Sequence, residues 1–206
     1  MEKEELSSLQ LDALREVGNI GAGHAATALS GLLNRPVDMA VPEARLVPIF
    51  DLAELYGAAE SLICAVLIRA EGDFSCNLVF MMEEDKSQEL ADLLVGSFCC
   101  DDEEMLYQLR DSALSEVGNI VLGAFVNSLS AFTGFSLPVS VPAIAHDMLG
   151  ALLDVVVAIY GISGDMALMV QTSLSVKGLD GELSGQILMV PDPGKLPILL
   201  GKLGVL

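Results

Sequence analysis

Apolar residues between positions 12 and 33 recur three and four apart. At ~100° per residue, Leu14, Val17, Gly18, Gly21, Ala25, Leu29 and Leu32 gather within about 60° of Leu14, which predicts one buried stripe on a long helix. The helix begins within 5–11, where Ser7 or Ser8 can act as N-cap, and stops at Asn34-Arg35-Pro36. Val37 to Ile49 reads as an extended segment. Proline cannot donate to a sheet ladder, so Pro42 belongs on an edge, at a strand start or at a bulge. A short helix or turn is expected around Asp51–Tyr56. Leu62–Ala70 and Phe74–Met82 flank Glu71-Gly72-Asp73 and predict a hairpin, with Phe74, Cys76, Leu78 and Phe80 on one face. A helix over roughly 84–97 completes this half.

The second half repeats the plan. A helix spans about 103–133 and ends at Thr133-Gly134, with Leu114, Val117, Val121, Phe125, Leu129 and Phe132 as its apolar stripe. An extended piece holds Pro138 and Pro142, and a helix over about 146–159 starts at His146-Asp147. Strands near 166–176 and 184–190 are joined by Lys177-Gly178-Leu179-Asp180-Gly181, and a last helix lies near 194–203. Each half thus runs long helix, extended segment, short helix, hairpin, helix. That order is α+β, and the lack of alternating βα units counts against a doubly wound parallel fold.

The parallel extends to individual residues. Positions 12–19 read DALREVGN and positions 112–119 read SALSEVGN, and after each asparagine a proline follows twenty-two intervening residues later, at Pro42 and Pro142. Without a gap, 12–42 and 112–142 share 12 identities in 31 positions, which marks an internal duplication. A pseudo-two-fold single domain built from two repeats, about 8–100 and 101–206, is expected; a chain of 206 residues can bury a full core in this way.

Opposite each apolar stripe stand Asp12, Glu16, Asn19, Gly23 and Ser30 in the first copy, and Ser112, Glu116, Asn119, Gly123 and Ser130 in the second. A polar pair three residues apart is ordinary on any exposed helix. Asparagine and glycine are not, because such a face prefers better helix formers. Both copies keep them, so the repeated Glu and Asn are the candidate site.

Composition narrows the chemistry. A net charge of −19 with only ten Lys and Arg argues strongly against nucleic acid or an acidic membrane as partner, since both need clustered cations, and favours a partner that is basic where it docks. The acids of 83–104 read as a solvated face. The hydrophobic share of 52% and mean hydropathy of +0.57 raise the question of a membrane span. Val117–His146 lacks Asp, Glu, Lys and Arg, yet Asn119, Asn127, Ser128, Ser130, Thr133, Ser136, Pro138 and Pro142 exclude a lipid-facing helix there. No membrane insertion is expected. The opening MEKEELSSLQ lacks the basic and apolar regions of a signal peptide, so a cytoplasmic location is expected.

Cys64, Cys76, Cys99 and Cys100 form no CxxC pair and have no partner histidines, so reduced thiols are expected, with no disulfide framework and no zinc. Gly21-x-Gly23-x-x-Ala26 resembles a loose dinucleotide fingerprint but lies in a helical pattern, where glycines serve close packing. His24 has no counterpart, since the second copy carries Ala124. No Ser-His-Asp or Cys-His pairing and no metal ligand set follows from the spacing. Catalysis is left to a carboxylate and a carboxamide. The amide can orient a water without taking a proton, and the carboxylate can grip a lysine or arginine. Such a pair suits an electrophile that is already activated and brings its own metal, as an acyl phosphate does.

At these residues the chain resembles the CheC family of chemotaxis phosphatases, related to CheX and FliY. The family pattern is Asp or Ser, three residues, Glu, two residues, Asn, twenty-two residues, Pro. Asp12, Glu16, Asn19 and Pro42 satisfy it, and Ser112, Glu116, Asn119 and Pro142 satisfy it again. The resemblance implies a CheC-like fold with two long motif helices packed with antiparallel β-sheet. It also implies hydrolysis of the aspartyl phosphate of phosphorylated CheY, which carries its own Mg²⁺, so no cofactor of this chain's own is implied. Asn19 and Asn119 would align the attacking water, and Glu16 and Glu116 would pair with the regulator's lysine. Asp12 and Ser112 would support the docking face, with Pro42 and Pro142 shaping the adjoining segment. A second partner, CheD, would be met near the short helix of the second half, at Asp147. The competing reading is an adaptor that binds CheD or the flagellar switch with little catalysis. Because duplication supplies internal symmetry, a monomer is expected.

Overall fold

The computed structural model describes residues 8–52, 55, 59–96, 102–160, 166–178, 181 and 183–203. Among the described residues the helices are α1 (Ser8–Leu33), α2 (Glu84–Val95), α3 (Glu103–Thr133), α4 (Leu149–Tyr160) and α5 (Leu196–Lys202). Six strands are β1 (Val37–Pro48), β2 (Leu62–Ala70), β3 (Cys76–Glu83), β4 (Ala143–Met148), β5 (Met166–Val176) and β6 (Leu183–Pro191). They form one antiparallel sheet in the order β1-β5-β6-β3-β2-β4. This is the expected α+β fold with two long helices against antiparallel sheet. Its order has a two-fold pattern, since exchanging the repeats turns the list into its own reverse. The edge strand of each repeat pairs with the hairpin of the other, β1 with β5 and β4 with β2.

Both sheet faces are covered, which accounts for the high hydropathy without a membrane. On one side α1, α2, α3 and α5 bury Leu14, Leu29, Leu90, Leu114, Leu122 and Leu199 against Cys64, Ile68, Leu78, Phe80, Val170 and Met189. On the other, α4 and a 3-10 turn at Ile49–Asp51 bury Leu153 and Ile49 against Ala65, Met81, Met169 and Leu188. Neighbouring strand residues point to opposite faces, and here both faces meet apolar cover. Among the described residues no helix is long and apolar enough to cross a membrane.

Local signals set the long helices. Asp102 caps α3, its carboxylate accepting from the Glu104 and Met105 N–H groups at 3.0 and 3.3 Å, and Gly134 ends it at φ 74. At the end of α1, Asn34 takes the left-handed turn at φ 51. The apolar stripes are buried as expected except in the last turn, where Leu32 is 42% and Phe132 47% exposed. There the buried face passes to the next residue, Leu33 at 8% and Thr133 at 7% exposed, four positions after Leu29 and Leu129.

The segment expected as a helix from His146 begins instead as strand β4, and α4 starts at Leu149. Pairing with β2 of the other repeat holds Ala143–Met148 extended, with His146 opposite Cys64 and Asp147 opposite Ile63. The short element expected at Asp51–Tyr56 falls partly outside the described residues, as do Cys99 and Cys100. Cys64 and Cys76 are free and buried, and burial pushes both thiols up to about 12.

Candidate active sites

Asp12, Glu16 and Asn19 lie four and three residues apart, so they share the exposed side of α1. Asp12 pairs with Arg15 at 3.0 Å, and Glu16 has no side-chain partner among the described residues. Asn19 is engaged with the backbone of β1. Its Oδ1 accepts from the Val41 N–H at 3.0 Å, and its Nδ2 donates to the Val41 carbonyl at 3.5 Å. Beside it the Val41 side chain fills the space over Gly18, where an added Cβ would stand 3.2 Å from a valine methyl.

The spacing from Asn19 to Pro42 now has a physical reason. In the β1–β5 ladder, Ala40 faces Ser173 and Glu43 faces Gln171, so Val41 and Pro42 together oppose the single residue Thr172. That is a β-bulge, which leaves backbone groups outside the regular ladder and suits a proline. Asn19 supplies partners for the N–H and carbonyl of Val41.

The second copy keeps the bulge but arranges it differently. Ser112 and Glu116 are exposed on α3 and Asn119 is half-buried. The Ser140 N–H donates to the Arg69 carbonyl at 2.8 Å, and Ala143 faces Leu67, so Val141 and Pro142 oppose Ile68 alone. Val141 is 86% exposed, against 3% for Val41. Val66 of β2 occupies the space over Gly118 that Val41 takes over Gly18. Asn119 has no hydrogen-bond partner among the described residues. The segment is held instead by Ser140, whose Oγ accepts from the Arg69 N–H at 3.0 Å. The equivalent residue of the first copy is Ala40, which has no hydroxyl.

The glycines divide by role. Gly21 permits close helix packing, since an added Cβ would lie 3.1 Å from the Phe125 Cα on α3. At Gly23 and Gly123 an added Cβ would meet nothing within 4 Å. Both leave open backbone one turn beyond the asparagine, on a surface the fold itself does not use.

Ser30 and Ser130, expected on the polar face, serve the helix ends. Ser30 Oγ accepts from the Val37 N–H at 3.0 Å and Ser130 Oγ donates to the Phe135 carbonyl at 2.5 Å. Asp147 is exposed on β4, its carboxylate accepting from the Met148 N–H at 2.7 Å, so it is not the first-turn helix acid its surroundings in sequence suggest. One polar cluster had no sequence signal. His146 Nδ1 lies 2.7 Å from Glu84 Oε2 and Nε2 lies 3.2 Å from Asp111 Oδ1, joining β4, α2 and α3 next to Ser112. Its members are remote in sequence, 62 residues apart for Glu84 and His146, so only the folded chain assembles them. Asp111 also holds the Tyr107 phenol above its usual range.

Each motif face thus offers an exposed carboxylate, a carboxamide and open backbone. Among the described residues no group of three His, Cys, Asp or Glu is arranged to hold a metal ion. The arrangement can dock a cationic group and orient a water, and needs an electrophile activated elsewhere.

Comparison with known proteins covers both faces. The model of the CheC-like family matches residues 9–44 and 109–146, spans that contain every motif residue from Asp12 to Pro42 and from Ser112 to Pro142. The CheY-P phosphatase CheC of Bacillus subtilis is 36% identical over 184 residues, covering 89% of this chain and 88% of that protein. Among solved structures, FliY of Thermotoga maritima superposes with a TM-score of 0.77 at 20% identity over 97% of this chain and 98% of its own. The CheX–CheY–BeF3–Mg²⁺ complex of Borrelia burgdorferi gives 0.51 at 20% identity, covering 83% and 95%. These two share the fold, while the bacillary relative matches in sequence along nearly the whole length. With the motif present twice on a duplicated scaffold, the chain belongs to the CheC-like family.

Proposed function

We propose that this protein is a chemotaxis phosphatase that hydrolyses the aspartyl phosphate of a phosphorylated CheY-type response regulator. The observation that carries the proposal is the repeated pair of Glu and Asn on two open helix faces, each beside a glycine that leaves the backbone bare. The similarity to a CheY-P phosphatase over most of both chains supports the same reading.

In this mechanism the substrate brings the activated phosphorus and its own Mg²⁺. Glu16 or Glu116 pairs with a lysine of the regulator and fixes the approach. Asn19 or Asn119 orients a water in line with the phosphorus. The water oxygen forms the new P–O bond while the bond to the aspartyl oxygen breaks, releasing the free carboxylate and inorganic phosphate. The asparagine takes no proton, so positioning and electrostatics supply the acceleration. Asp12 and Ser112 border the docking surface, and Pro42 and Pro142 shape the bulge beside it. Asp147, exposed on β4, is assigned to a contact with CheD, and Asp147→Lys should abolish CheD capture while leaving hydrolysis intact.

The test is phosphate release from phosphorylated CheY with Mg²⁺. The double variant Asn19→Ala/Asn119→Ala should lose the catalysed rate, with each single variant keeping part of it. An unchanged rate in the double variant would end the proposal.

A further inference from the structure

The two copies hold the same asparagine in different states. Asn19 accepts from and donates to the backbone of Val41, whereas Asn119 has no partner among the described residues. We infer that the two sites are unequal: Asn119 is the working amide, and Asn19 chiefly brackets the β1 bulge. The inference rests on the phosphatase reading above and adds to it the identity of the dominant site.

Three observations converge on this. Val41 is buried and sits at the bulge, so if Asn19 swung away toward a substrate its N–H and carbonyl would lose their bracket. Buried backbone groups without partners are rare because leaving one unmade costs more than making it gains. Second, the other copy does not draw on its asparagine. Ser140 ties the segment to Arg69 through its N–H and Oγ, the same Oγ donates to the Val141 carbonyl at 2.9 Å, and Val141 turns out into solvent, where its N–H can meet water. Third, Gly118 is covered by Val66 of β2, so the bulge is not drawn down onto α3 as Val41 is drawn onto α1. Sequence carries the difference as Ala40 against Ser140 within otherwise matching Val-Pro pairs. One amide is committed to the fold and the other is free to meet a water.

Releasing Asn19 forfeits two hydrogen bonds, which sets the first site about tenfold below the second. Two equal sites would leave half the rate in either single variant. Unequal sites predict that Asn119→Ala retains roughly a tenth of the wild-type rate of phosphate release from phosphorylated CheY with Mg²⁺, and that Asn19→Ala takes the smaller share. The structural role has its own readout. Asn19→Ala should melt below wild type, Asn119→Ala should melt with it, and the Asn19 side-chain amide protons should exchange with solvent more slowly than those of Asn119. Asn119→Ala carries the kinetic test alone if Asn19→Ala folds poorly. Retention of half the rate or more by Asn119→Ala, with the double variant inactive, would overturn the inequality and leave the phosphatase reading standing. Full activity in the double variant would remove both.

Discussion

Arg69 at the end of β2 grips Asp192 just beyond β6, with Nη1 donating to Oδ1 at 2.6 Å and Nη2 to Oδ2 at 2.5 Å. The pair joins the first repeat to the second, and the same arginine receives Ser140 of the motif segment through its backbone. One residue therefore couples the sheet's two halves through its side chain and the second candidate site through its backbone.

Asp192→Asn should destabilise the protein by about 1–2 kcal/mol at pH 7, since a two-point charged bond is lost. The Arg69 guanidinium hydrogen-bonded to Asp192 holds its carboxyl below the usual range. A depressed native pKa means the stabilisation is fully present above the unfolded carboxyl's value, about 3.9, and fades as pH falls through the native one. Denaturant midpoints of variant and wild type should therefore differ at pH 7 and draw together below about pH 4. A constant gap across that range would show that Asp192 acts through packing and not through its charge.

Four motif glycines make a graded series. At Gly118 an added Cβ would lie 2.4 Å from the Val66 Cβ, so Gly118→Ala must displace the helix or the strand and should cost about 1–3 kcal/mol. Gly18→Ala meets the two Val41 methyls at 3.2 and 3.3 Å and should cost less. Gly23→Ala and Gly123→Ala meet nothing, and should stabilise by about 0.5–1 kcal/mol each through helix propensity. If a partner approaches the bare backbone there, the last two variants gain in melting temperature while losing phosphatase activity. Calorimetry and rate measured on the same preparations separate the two effects.

How legible this was in the sequence depends on how local the cause is. The α3 boundaries follow from Asp102 and Gly134, and the β2–β3 turn follows from Glu71-Gly72-Asp73, so periodicity and capping suffice for both. The stretch 143–160 does not yield in the same way. Its apolar residues suit helix or strand, and what divides it at Met148 is pairing with β2, some eighty residues earlier in the chain. The site behaves likewise. Repetition exposed Glu16, Asn19, Glu116 and Asn119, yet the bracket between Asn19 and Val41 is a tertiary contact that only the constant spacing to proline hinted at. Nothing local distinguishes Asn19 from Asn119, because the difference lies in which neighbour holds the bulge.

Cys64 and Cys76 should be inert in the folded protein. Burial pushes both thiols up to about 12, with the nearby Glu84 adding to the effect at Cys64. At pH 8 that leaves a thiolate fraction of about one in ten thousand, and thiolate is the reactive form. In a Cys99→Ser/Cys100→Ser background, alkylation by iodoacetamide should proceed no faster than unfolding exposes the two thiols. The same shift acts on stability. A thiol raised in the native state contributes below its unfolded value, about 8.5, and the contribution is lost as pH rises toward 12. Cys64→Ala/Cys76→Ala should therefore flatten the alkaline decline, at some cost in packing at neutral pH. Rapid stoichiometric labelling of the native protein would contradict the burial.

The exposed glutamates offer the plainest test of docking. Neither Glu16 nor Glu116 has an internal partner among the described residues, so their replacement should leave the fold unchanged. If each meets a lysine of the regulator, Glu16→Gln/Glu116→Gln removes a charge pair formed on binding. The expected loss is about 1.4 kcal/mol, a roughly tenfold rise in KM with melting temperature preserved. Glu16→Lys/Glu116→Lys should be worse, because it sets like charges together. Raising ionic strength should weaken the wild type and shrink its advantage over the glutamine variant, since exposed pairs are screened. A fall in kcat at unchanged KM would instead assign the carboxylates to the transition state. Initial rates over a range of phosphorylated CheY concentrations, at two salt concentrations, distinguish the roles.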